Sequence, residues 1–183
     1  MSRAHVIALA LVAAFLVSNG EPSLDASHRS AAGAAAGGSA TLGEVQIAAY
    51  LRDLNPDSSA AERERIASAV MRYSAKYGLD PALVLAVIVQ ESSGRSWVRS
   101  PKGALGLMQV MPYMMGSLPV AGNATHVESN IEAGCLILAD NIRRLGEARG
   151  ILAYFWGNDI RGVGYLENVQ AARAAIRRHA AQS

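Results

Sequence analysis

Apolar residues along this chain recur mainly at helical intervals. From Glu44 to Leu54, Val45, Ile47, Ala48, Ala49 and Leu51 predict a short helix that Asn55-Pro56-Asp57 breaks. Ser59 followed three residues later by Glu62 is a capping-box pattern. It opens a second helix, whose Ile66, Ala69, Val70 and Tyr73 share helical spacing and which Gly78 ends. Asp80 then caps a third helix, with Pro81 at its first position, where a missing N–H does no harm. This segment, PALVLAVIVQES, is apolar on every side from Ala82 to Val89, so it is expected to be buried all round. Eight apolar residues also fit a buried strand, but the cap, the proline and the length of twelve favour helix. Gly94 is the expected C-terminal stop.

Further on, Ser129 and Glu132 form a second capping-box pair, predicted to open the helix NIEAGCLILADNIRRLG with Ile131, Cys135, Leu138 and Ile142 on one face. Gly150 precedes a short apolar helix, ILAYFW. The closing segment, GYLENVQAARAAIRRHAA, reads as an amphipathic helix with arginines near its C-terminus, where the helix dipole favours them. No segment alternates convincingly, so the fold class expected is all-α.

The chain's beginning reads differently. Arg3 precedes an uninterrupted apolar run from Val6 to Val17, and small residues stand at Ser18 and Gly20. Twelve such residues rise about 18 Å as a helix, short of a ~30 Å hydrocarbon core. The expectation is a signal peptide over residues 1–20, cleaved after Gly20, with export to the periplasm; an uncleaved anchor is the alternative. Residues 21–41, crowded with Ala, Gly and Ser, read as a flexible linker, which leaves 42–183 as the folded domain.

Composition narrows the function classes. With 51% hydrophobic and 17% charged residues, 183 residues suffice for one packed domain, and disorder throughout is excluded. A net charge of +2 gives no electrostatic argument for nucleic acid. A single cysteine excludes an intrachain disulfide framework. The four histidines are scattered without ligand spacing, so no metal and no cofactor are expected. Cys135, on the apolar face of its helix, reads as a buried thiol rather than a nucleophile.

The chemistry concentrates after the apolar helix. Glu91 sits at its end, where partial desolvation and the negative end of the helix dipole both disfavour the charged carboxylate. That raises its pKa and suits a general acid working near neutral pH. A glutamate pointing into water beyond the last turn is the plain alternative. Residues 100–112, SPKGALGLMQVMP, follow with glycines at 103 and 106 and a polar Gln109 among apolar neighbours. Glycines permit tight turns and close approach, and a buried glutamine must hydrogen-bond something. A glycine-rich loop before a short core helix accounts for the glycines but not for the whole spacing.

Glu91-Ser92, Ser100 nine residues after the glutamate, and Gly103-Ala104-x-Gly106-Leu107-Met108-Gln109-x-Met111-Pro112 together resemble the signature of the soluble lytic transglycosylase domain family, of the goose-lysozyme-like superfamily. Asn130, Ile131 and Gly134 match its Asn-Ile-x-x-Gly pattern, and Ala153-Tyr154 match part of its Ala-Tyr-Asn segment. The resemblance runs from about Ala61 to Val169. It implies a lysozyme-like helical fold with a substrate groove, acting on peptidoglycan glycan strands. It also implies a lyase that cleaves the MurNAc-β-1,4-GlcNAc bond without water and leaves 1,6-anhydro ends. Glu91 is then the sole catalytic acid and base. Ser100, Met108, Gln109 and Tyr154 are expected to bind substrate, with the Tyr154 hydroxyl near Glu91. Ser92, Trp97, Gly106 and Asn130 are further expected sugar contacts. Family members of this size often accompany a secretion, pilus or conjugation apparatus, and a monomer is expected.

The match departs from the family after Tyr154, where Phe155-Trp156 stand in place of Asn-Ala. It departs also at Gly94, where an aromatic is common. Two other functions remain open at this stage: a true peptidoglycan hydrolase that uses water and a second acid, and a wall-binding protein that does not cut. From Ser92 to Thr125 there is no Asp or Glu, which leaves Glu91 without a local acidic partner.

Overall fold

A computed structural model describes residues 42–183. The expected signal peptide and linker lie outside the described residues. Seven helices are present among them: α1 (Glu44–Leu54), α2 (Ala60–Tyr77), α3 (Pro81–Ser92), α4 (Pro112–Met115), α5 (Val127–Leu145), α6 (Glu147–Trp156) and α7 (Gly164–Ala180). The all-α expectation holds, with two isolated β-bridges, Arg99 to Leu105 and Leu105 to Val110, tightening the loop between α3 and α4. Among the described residues, no helix is long and apolar enough to cross a membrane.

Local chemistry sets most boundaries. The Ser59 hydroxyl accepts the Glu62 N–H at the head of α2, and Gly78 ends that helix in the left-handed conformation. Asp80 accepts the Ala82 N–H at 3.0 Å to start α3. The fully apolar stretch of α3 forms the middle of the core, with Ala82 through Ile88 all buried. It packs on α7 and α2; α5 lies across α2 and α6, and α1 closes against α2 and α7.

Three boundary expectations are corrected. The stop of α3 falls on Ser93, at φ 53°, with Gly94 following at φ 72°. The helix expected to begin at the Ser129–Glu132 pair begins at Val127, so Ser129 lies inside it. There its hydroxyl donates to the Ala121 carbonyl, tying the preceding loop, while Glu132 pairs with Lys76 of α2. Tertiary partners outcompete a local cap that the spacing alone would allow.

Likewise Gly150 does not precede α6 but lies within it. A Cβ there would stand 2.6 Å from both the Cα and the backbone N of Ile142, so glycine is what lets α6 press against α5. Gly134 does the same for the loop before α4: an added Cβ would meet Met108 Cβ at 2.6 Å.

Two clamps join opposite ends of α3 to α7. At its beginning, Asp80 takes Arg173 at 2.6 Å and Arg177 at 2.8 Å, and Arg173 reaches on to Glu147 of α6 at 2.8 Å. At its end, Glu91 meets Tyr165.

Because the Gly150 contact is with backbone, G150A is expected to destabilise the protein by about 2 kcal/mol, the usual range for overpacking. Thermal unfolding followed by circular dichroism checks it; a variant that melts with the parent means α6 can shift without cost.

Candidate functional site

The site is built where the end of α3 meets the loop 93–111. That loop is held by polar side chains rather than by regular structure. Asn130, 1% exposed on α5, is its hub. Its Oδ1 accepts the Met108 N–H at 2.8 Å, and its amide donates to the Leu105 and Ala124 carbonyls, each at 2.8 Å. Tyr154 of α6 donates its hydroxyl to the Met108 carbonyl at 2.7 Å. Gln109 adopts φ 50°, a conformation rare outside glycine, and its amide donates to the Val98 and Gly106 carbonyls at 3.1 and 2.9 Å. Strain of this kind persists only where surrounding bonds over-determine it, and it gathers at functional sites.

These anchors shape a partly open cleft. Glu91 and Gln109 line it together with Val110, Met111 and Met114 from the loop and α4, Ile137 and Asn141 from α5, and Ala153, Tyr154 and Phe155 from α6. Glu91 is the only carboxylate among these residues.

The Glu91 carboxyl is walled in, and burial pushes its pKa up to about 7. The opposing influence is the Tyr165 hydroxyl, which donates to Oε1 at 2.7 Å and favours the charged form. No neighbouring charge contributes, so the proton is held by environment rather than by repulsion from a second acid. The rings on α6 and α7 complete the apolar side: Phe155 stacks on Tyr165 with centroids 4.6 Å apart, and Trp156 meets Phe155 edge-on at 4.9 Å. Both tyrosines have pKa values well above the ordinary phenol value, first through burial and then through the adjacent Glu91 charge. They therefore act as hydrogen-bond donors at any physiological pH.

The sequence-predicted residues divide accordingly. Glu91, Gln109 and Tyr154 are brought into one cleft. Met108 is fully buried, its N–H taken by Asn130 and its carbonyl by Tyr154, so the structure gives it a supporting place rather than an exposed one. The hydroxyl bonded to Glu91 belongs to Tyr165, while Tyr154, whose hydroxyl was expected near Glu91, lines the same cleft and bonds the Met108 carbonyl. Ser100 accepts the Ala104 N–H at 3.0 Å and shapes the turn ahead of the glycines, with no bond to Glu91. Ser92 donates to the Ile88 carbonyl inside α3, and Gly106 is buried within the loop with its N–H donated to the Val98 carbonyl. Asn130 is committed to backbone on every polar atom, so it positions the loop instead of meeting sugar. Trp97 is 62% exposed and does not line the cleft.

Tyr165, Asn141 and Phe155 escaped the reading of the sequence as site residues. The signal for Tyr165 was present: it shares the buried face of α7 with Val169, Ala172 and Ile176, and a tyrosine on such a face must find a polar partner. Nothing in the spacing said that the partner was Glu91, 74 positions earlier. Cys135 is fully buried with its thiol pKa pushed far up, which agrees with an inert thiol.

The profile of the transglycosylase SLT domain family matches residues 68–163. This chain belongs to that family. Two relatives resemble this SLT-domain chain in sequence. A "Transglycosylase" of Enterobacteria phage PRD1 is 44% identical over 87 residues, covering 47% of this chain and 32% of the relative. The "Membrane-bound lytic murein transglycosylase C" of Edwardsiella ictaluri is 36% identical over 80 residues, 38% of this chain and 22% of its own length. The chain thus spans a third or less of these relatives. Among solved structures, the 70-kDa soluble lytic transglycosylase in complex with bulgecin A aligns at 22% identity and a TM-score of 0.46, over 75% of this chain and 28% of that one.

The raised pKa has a thermodynamic consequence. Below the ordinary value of 4.5 Glu91 is protonated in both folded and unfolded chains; between 4.5 and about 7 the unfolded chain ionises first, so folded stability falls as pH rises. Above that window the cost is on the order of 3 kcal/mol. E91Q is therefore expected to raise the unfolding free energy at pH 8 and to leave it nearly unchanged at pH 4. Y165F removes the bond that favours the carboxylate, so the Glu91 pKa should move further up. Carboxyl carbon NMR titration reads the latter directly; a downward shift would show that Tyr165 holds the protonated form.

Proposed function

We propose that this domain is a peptidoglycan lytic transglycosylase. It cleaves the β-1,4 bond between N-acetylmuramic acid and N-acetylglucosamine and forms 1,6-anhydro ends. The observation that carries the reading is a single carboxyl, its pKa raised by burial to about 7, facing a cleft with no second carboxylate in its lining. A two-carboxylate glycosidase requires the second group across the scissile bond. With one, the same residue must serve twice. Glu91 gives its proton to the glycosidic oxygen as the bond to C1 breaks. The resulting carboxylate takes the proton of the muramoyl C6 hydroxyl as that oxygen bonds to C1, and Glu91 ends protonated as it began. The proton leaves and returns to one oxygen pair, and no water enters the products.

The protein's own groups fit both halves. Burial keeps the acid charged with its proton up to about pH 7. The Tyr165 hydroxyl supports the carboxylate that forms in mid-reaction. The relatives' descriptions as transglycosylases support the same class. The exposed Trp97 ring suits stacking on a more distant sugar of a long strand. Export to the periplasm, action as a monomer, and local wall opening for a secretion, pilus or conjugation apparatus complete this proposal.

Digestion of purified sacculi tests it. The products are expected to carry anhydro ends, one water lighter than reducing ends by mass spectrometry. E91Q is expected to slow their release by about 10³-fold, within the range for losing a general acid. Reducing ends alone would assign the protein to the hydrolases, and binding without release would make it a wall-binding module. The rate should also fall as pH rises through about 7, where Glu91 loses the proton it must donate.

A further inference from the structure

One polar side chain in the cleft has no part in the acid–base scheme. Asn141 on α5 is 3% exposed and lines the cavity together with Glu91. Its Oδ1 accepts from the Arg144 guanidinium at 2.6 Å, and Arg144 is in turn fixed by Asp140 at 2.7 Å. A guanidinium only donates, so the atom facing it must be the amide oxygen. The NH₂ group is therefore turned away from Arg144, and it has no hydrogen-bond partner among the described residues. It is not sealed in either: the side-chain polar atom that is both enclosed and unpartnered among them is Trp156 Nε1. Asn141 thus offers a fixed, unpaired donor at a wall that solvent reaches.

The surroundings say what could meet it. Ile137, Ala153 and Met114 make the neighbouring wall apolar. An amide donor set in an apolar recess matches a small group with a carbonyl oxygen on one side and a methyl on the other. The guanidinium on the far end of the amide polarises it and strengthens its N–H bonds.

We infer that Asn141, oriented by Arg144, is a specificity-determining residue that binds the carbonyl of a 2-acetamido group of the glycan, with the methyl against Ile137 and Ala153. This rests on the reading of the cleft as a site for N-acetylated amino-sugar strands. Removing the acetyl group should then cost affinity, and replacing Asn141 should remove most of that discrimination.

The test is a binding cycle in the non-cutting E91Q background, by calorimetry with a chitin oligosaccharide and with its de-N-acetylated counterpart. N141L is expected to weaken binding of the acetylated sugar about tenfold, the worth of one good hydrogen bond, and to change the de-N-acetylated sugar little. N141D keeps the side chain's shape, pairs with Arg144 and lacks the donor. It should behave alike, and it carries the test if N141L does not fold. Equal weakening of both sugars, or an unchanged ratio, overturns the inference. A parent that cuts sacculi through Glu91 while the ratio stays put sinks this assignment alone; a parent that neither cuts nor binds sinks the proposed function itself.

Discussion

Everything in this site depends on keeping one carboxyl out of water. Desolvation is the larger of the two influences on Glu91, and the Tyr165 hydrogen bond only moderates it. The fold supplies that desolvation by ending its most apolar helix at the cleft and by covering the end with the stacked rings of Phe155 and Tyr165. A charged neighbour could tune an acid more simply, but it would also couple the proton to ionic strength and to a second titration. Burial with one neutral donor avoids both.

The surrounding loop shows the complementary strategy. It has almost no apolar periodicity and takes its shape from buried amides. Asn130 satisfies three backbone groups from three points of the chain, and Tyr154 adds a fourth through Met108. Residues that a sequence motif marks as functional are here largely the ones that hold other residues still. In a family signature, a supporting amide and a substrate contact look the same, because both are polar, specific and intolerant of exchange.

Much of the fold was legible because local signals agreed with tertiary demand. The Ser59 cap, the Asp80-Pro81 start and the Gly78 stop each carry their own geometry, and α1, α3 and α7 occupy the segments their patterns mark. Legibility failed where a distant partner redirected a local option. Ser129 and Glu132 had the spacing of a cap but bind Ala121 and Lys76 instead, and Gly150 looked like a break but is a contact point. In the site, Glu91 could be found because its helix is unusual in composition. Tyr165 and Asn141 could not be placed beside Glu91, since that depends on which faces of α7 and α5 turn toward the cleft.

The pairing of α3 with α7 bears on where this domain can be said to end. The family profile stops at residue 163, two positions before the tyrosine that bonds Glu91 and well before Arg173 and Arg177, which hold the other end of α3. A fragment trimmed to the profile would keep every motif residue yet strip the roof from its own acid, leaving apolar flanks of α3 wet. The folded unit is therefore larger than its signature, and its closing helix shelters the Glu91 carboxyl as much as it completes the core.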